Sequence, residues 1–187
     1  MALGSTGRAG LRLPFGERLV GAPVTSSGRP QPPPMHALEL KVPPPIVALL
    51  VAVAMWAIAL TAARIEMPML VRVGAALAFA IAGVGIAISG VIGFRHARTT
   101  VNPMKPEAAS SLVTSGVYRF TRNPMYLGLC LVLVAWALLL SSPLALLGPV
   151  LFILYINRFQ ITPEETALSA IFEEEFATYK AKVRRWI

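Results

Sequence analysis

From residue 46 onward, four apolar runs alternate with short polar stretches: 46–63, 73–94, 124–140 and 143–159. The first has 18 residues and no charge, and at about 1.5 Å per residue a helix of that length approaches the hydrocarbon thickness of a bilayer. Only Ser141 and Ser142 separate the last two runs, which predicts a tight antiparallel helical hairpin. Each run is just long enough to cross. The second carries Gly74, Gly83, Gly85, Gly90 and Gly93, and small residues at this density let neighbouring helices approach closely, so it is expected to be packed on both sides. After Thr162 the pattern changes: Leu168, Ile171, Phe172, Phe176, Tyr179, Val183 and Trp186 recur every three or four residues, the signature of an amphipathic helix. Such a helix is expected to lie along the cytoplasmic membrane surface or to cap the bundle there, with Arg184, Arg185 and Trp186 at the interface. The pattern predicts an all-α integral membrane protein of about four transmembrane helices, including a C-terminal helical hairpin, followed by a cytoplasmic amphipathic helix. Residues 1–45 are rich in Gly, Pro, Ser and Arg, carry PQPPP and VPPP, and lack apolar periodicity. They read as a disordered arm ahead of a membrane domain over 46–187, and Met35 is an equally good start.

Composition reinforces the membrane reading. Of 187 residues, 56% are hydrophobic and 14% charged, and mean hydropathy is +0.66; so short a chain has too much surface to hide that apolar mass from water. The net charge of +8 would suit nucleic acid, but the basic residues flank the apolar runs instead of forming a patch interleaved with aromatics. Fifteen of the 17 basic residues fall in the arm, in residues 95–122 and from Arg158 onward. The positive-inside rule then places both termini and the central loop in the cytoplasm. Cys130 is the single cysteine, which excludes an intramolecular disulfide and a thiolate metal site.

Two polar clusters fall on that same side. Residues 114–128, TSGVYRFTRNPMYLG, have a good local explanation: Ser115-Gly116 makes a turn, Asn123 caps a helix, Pro124 takes its first position, and Arg119 and Arg122 anchor the membrane boundary. Tyr118 and Tyr126 are left over. The second cluster is Arg158 with Thr162-Pro163-Glu164-Glu165, which reads locally as a capping box between Thr162 and Glu165, with Glu164 complementing the helix dipole. Glu173 to Glu175 fit a solvated helix face.

The string GVYRFTRNPMYLG, followed by the hydrophobic hairpin, Arg158, PEETAL, an aromatic at Phe172 and Tyr179 before VRRW, resembles the isoprenylcysteine carboxyl methyltransferase family and its phospholipid methyltransferase relatives. The likeness covers about residues 101–187, which it marks as the catalytic part. Three positions depart from the family pattern: Asn123 stands where His is frequent, and Glu173 and Phe176 stand where Gly and Tyr are common. The resemblance implies an S-adenosylmethionine-dependent methyltransferase. It implies that Gly116, Tyr118, Asn123, Pro124, Tyr126, Glu164 and Glu165 line the cofactor pocket, and that Arg119, Arg122 and Arg158 face the reacting end.

Chemistry is consistent with that set. The cofactor offers a carboxylate for Arg or a helix start, an amino group and ribose for carboxylates, and a sulfonium that favours aromatic or acidic surroundings. Methyl transfer is an in-line displacement that alignment and exclusion of water can promote without a protein nucleophile. A carboxylate acceptor is already ionised at pH 7 and needs only positioning, whereas an amine must lose a proton, and His36 and His96 are poorly placed for that. The expected partners are the lipid bilayer and a lipid-like or prenylated acceptor, with no nucleic acid and no metal. Carboxyl O-methylation is the first expectation and N-methylation of an amino lipid the second. A non-catalytic membrane scaffold is the alternative of another class, and a membrane reductase a third.

Overall fold

The computed structural model describes residues 40–97 and 109–187, and every described regular element is helical. The expectation of a disordered arm falls largely on residues 1–39, and His36 with it; both lie outside the described residues. Helix α1 runs Pro44–Thr61, α2 Met69–His96, α3 Pro124–Leu140, α4 Leu147–Ile156 and α5 Thr162–Lys182, with short 3-10 turns over Gly116–Arg119 and Pro143–Leu146. Prolines set the starts. Pro44 and Pro124 sit in the first turns of α1 and α3, where the missing N–H is no loss and the fixed φ is already helical.

Three helices are long and apolar enough to cross a membrane: α1, α2 and the apolar first part of the helical run Pro143–Lys182, which is kinked at Glu173; α3, with 17 residues, is the shorter fourth apolar helix. The protein is an integral membrane protein. Leu49, Leu50, Leu70 and Ile81 are more than half exposed on α1 and α2, which water would oppose and lipid tails would solvate.

The centre of the bundle is built from α1, α3 and α4. Met55, Phe152, Ile156 and Ile161 are fully buried there, and the Trp136 indole N–H donates to the Ala52 carbonyl at 3.0 Å. Helix α2 packs along α3 at a glycine crossing: a Cβ at Gly83 would lie 2.6 Å from the Gly128 carbonyl oxygen. The two backbones therefore touch, as small-residue interfaces in membranes allow. The expectation that α2 is packed on both sides is corrected here. Its buried residues are Ala76, Gly83 and Gly90, whereas Gly74 and Gly85 have nothing within 4 Å, because one neighbour, α3, supplies the close contact.

A second correction concerns the start of α5. The chain does not break at Thr162-Pro163 for a new helix with a capping box; α4 continues into α5 through a π turn over Asn157–Ile161. Pro163 has no N–H to return to the Phe159 carbonyl, and the Leu40 N–H takes that carbonyl instead at 3.1 Å. The Thr162 hydroxyl donates to the Asn157 carbonyl at 2.7 Å, consistent with a π-type step. Thr162 is therefore an internal residue, which frees Glu165 for other partners. Phe176, Tyr179 and Val183, with Leu112, Leu168 and Phe172, form a separate small core between α5 and the segment leading to α3.

Candidate active site

At one end of the bundle, where α2 ends and α3 begins, a cavity of about 110 Å³ opens beneath α5. A single water needs only about 10–15 Å³ on this scale, so the space is more than a packing defect. Gly116, at φ +62°, starts the 3-10 turn in a conformation that costs a Cβ-bearing residue free energy. That turn drives Tyr118 inward, where it is 4% exposed. Its ring meets Phe94 edge-on at 5.3 Å and lies against Gly93, where a Cβ would be 3.2 Å from the ring. The Tyr179 hydroxyl donates to the Tyr118 carbonyl at 2.7 Å, tying α5 to the turn.

Two carboxylates adjacent in sequence form different walls. Glu165 accepts from Arg122 Nη2 at 2.8 Å and from Arg185 at 2.6 and 3.2 Å, a fork geometry that suits guanidinium and carboxylate. Burial raises the Glu165 pKa, but the Arg185 hydrogen bonds and the charges of Arg122 and Arg185 outweigh it, so the net shift is downward. Glu164 accepts a hydrogen bond from the Tyr126 hydroxyl and has no cationic partner among the described residues. Burial, opposed by the Tyr126 bond and assisted by the charge of Glu165, pushes its pKa up to about 8.

The last residues of the chain complete the clamp. Arg122 donates to the carbonyls of Lys180 at 3.2 Å and Val183 at 2.8 Å. Its backbone N–H donates to the Arg184 carbonyl at 3.0 Å, and the Arg185 carbonyl accepts from Asn123 Nδ2 at 2.9 Å and from the Thr121 hydroxyl at 3.3 Å. The Trp186 indole N–H reaches Asn157 Oδ1 at 3.1 Å, in the π turn. Asn123 therefore does not cap α3 with its side chain, as the sequence suggested; it holds the C-terminal strap.

Of the residues singled out by sequence, Tyr118, Arg122, Asn123, Pro124, Tyr126, Glu164 and Glu165 line the cavity, and Gly116, Arg119 and Arg158 do not. Gly116 shapes the turn instead. Arg119 and Arg158 are exposed, and Arg158 stacks on the Phe159 ring at 5.4 Å, because the π turn carries it around to the outside of the helix. Sequence reasoning missed Phe94, Leu112, Val113, Met125 and Leu168 as lining residues, and Arg185 as a partner of Glu165. Apolar lining residues have no signature that separates them from core. Arg185 was legible only as an interfacial cation.

The phospholipid methyltransferase family profile matches residues 71–175, which contain all but the first two residues of α2, the whole of α3, both carboxylates and most of the cavity lining. The chain belongs to the phospholipid methyltransferase family. Among relatives, it is 36% identical to the protein-S-isoprenylcysteine O-methyltransferase of Saccharomyces cerevisiae over 91 residues, 47% of this chain and 37% of that one. The chain thus spans little more than a third of the yeast enzyme's length. It is 56% identical over 63 residues to an uncharacterized protein of Haemophilus influenzae, matching 34% of this chain and all of that one. No solved structure matches. The protein is a membrane methyltransferase of this family, as its motif order in residues 114–179 led us to expect.

Proposed function

We propose that this phospholipid methyltransferase family member uses S-adenosylmethionine to methylate a lipid-like acceptor, with its site on the cytoplasmic side of the membrane. The observation that carries the reading is Glu164: a carboxylate inside a cavity, hydrogen-bonded to Tyr126 and with no cation opposite it among the described residues. Burial of a charge without a counter-charge is costly, and a cationic ligand would remove the cost. S-adenosylmethionine carries a sulfonium and an ammonium, so the donor set fits. Glu164, Tyr126 and Tyr118 would hold its cationic part, while Arg122, whose buried Nε has no hydrogen-bond partner, would face its carboxylate. When bound, the cofactor supplies an activated methyl group. Arg122, held by Glu165, is a positioning residue, and Leu112, Val113, Met125 and Leu168 exclude water from the cavity.

The first acceptor reading is a carboxylate on a prenylated or similarly apolar molecule, giving a methyl ester. It draws support from the name of the yeast relative and from a lining without His or Cys among the described residues. One observation favours N-methylation of an amino lipid instead: a Glu164 carboxyl pushed up to about 8 by burial is, once ionised, a stronger base than an ordinary carboxylate and suits removal of the proton from an acceptor ammonium. Membranes containing the protein, incubated with methyl-labelled cofactor, separate the two. Label released as methanol by mild base establishes the ester; base-stable label on a lipid amine establishes the second. Absence of lipid-borne label under both conditions would favour a non-catalytic scaffold.

A further inference from the structure

The other end of the bundle holds a second cleft, formed where the link between α1 and α2 meets the turn between α3 and α4. The Ile65 N–H donates to the Ser141 carbonyl at 2.7 Å, which fixes the two segments together. Arg64, Glu66, Arg72 and Ser141 line the cleft. Arg72 stands in the first turn of α2, which contains no acidic residue, so its charge faces the positive end of a helix dipole. Its guanidinium makes one long bond, from Nη1 to the Ser141 hydroxyl at 3.3 Å. Its Nε is buried and has no acceptor. Glu66 lines the same cleft without forming an ion pair to Arg72 or Arg64 among the described residues.

A half-buried guanidinium with most of its donors unused needs an oxyanion. Two guanidiniums against one carboxylate leave the cleft net positive, and it lies at the membrane boundary where headgroup phosphates are concentrated. We propose that this cleft seats the phosphate of an anionic phospholipid in the leaflet opposite the methyltransferase cavity, with Arg72 as the inner fork and exposed Arg64 at the rim. Guanidinium and phosphate match in a two-bond geometry. The seat is independent of methyl transfer and does not rest on that reading.

The test uses the full chain in nanodiscs of phosphatidylcholine containing phosphatidylglycerol, with retained lipids counted by native mass spectrometry after release. We expect Arg72→Gln to lower retention of one phosphatidylglycerol about tenfold, the scale of a lost charge-assisted hydrogen-bond pair. Arg64→Gln, at an exposed position that folding does not depend on, is expected to lower it about threefold. Wild-type retention in both variants overturns the proposal. Displacement of the lipid by inorganic phosphate in the wild type overturns the lipid assignment in favour of a soluble anion.

Discussion

The two walls of the cavity differ in how they treat neighbouring carboxylates. Glu165 is neutralised twice over, by Arg122 and by Arg185, and its partners reach it from the start of α3 and from the end of the chain. Glu164, one residue earlier, meets a phenol and, among the described residues, no cation. One wall is finished by the protein itself; the other, on the proposed reading, is finished by a cationic ligand. Breaking the first should cost stability; altering the second should cost binding.

The largest effect is expected for Glu165→Ala, which leaves Arg122 and Arg185 facing each other. Removing one member of a buried ion pair costs about 3 kcal/mol or more, and chemical denaturation in detergent should read that loss. Arg185→Gln should cost about 1 kcal/mol, because Arg185 is 35% exposed and solvent screens its share. Glu164→Gln should show the opposite pattern: stability at neutral pH equal to or above wild type, with cofactor affinity reduced about tenfold or more. Equal losses of stability in the two variants would erase the distinction between the walls.

A smaller effect sharpens where α5 is fixed. Glu173 adopts φ +37° and ψ −111° at a kink inside α5, a conformation that favours Gly. Glu173→Gly should therefore stabilise the protein by about 1 kcal/mol, measured in the same denaturation series. The smallest expected effect is that of Tyr126→Phe on stability, within about 1 kcal/mol. Its more informative result is a further rise in the Glu164 pKa, since the hydrogen bond from Tyr126 opposes the shift caused by burial.

The pH dependence follows with a definite sign. The folded-state pKa of Glu164, about 8, exceeds its ordinary value of 4.5. Stability of the ligand-free protein that depends on protonated Glu164 is thus fully present below about pH 4.5 and lost as pH rises through about 8. A cationic ligand selects the ionised form, so its affinity should rise over the same window and level off above it. Glu164→Gln should flatten both curves.

The helices were legible in the sequence because an apolar run of about 18 residues has few alternatives, and the turn at Gly116 was legible because Ser-Gly announces it. The π turn was not. Thr162-Pro163-Glu164-Glu165 has the local chemistry of a helix start, and only the distant Leu40 N–H, which satisfies the Phe159 carbonyl that Pro163 abandons, lets the helix continue instead. Arg119, Arg122 and Arg158 looked alike as boundary cations. Their separation into one cavity residue and two exposed ones depends on how the 3-10 turn and π turn rotate each side chain, which spacing alone does not encode. Asn123 looked like a cap, and its side chain went to a strap more than sixty positions later. Contacts of that range are invisible to a local reading.

The most direct measurement is calorimetric binding of S-adenosylmethionine and of its product S-adenosylhomocysteine, which lacks the sulfonium charge, to wild type and Glu164→Gln. We expect the wild type to prefer the sulfonium form, with the preference growing as pH rises toward about 8, and Glu164→Gln to bind the two alike. No binding by a folded wild type, or an undiminished sulfonium preference in Glu164→Gln, would contradict the assignment of Glu164 as the counter-charge of the cofactor.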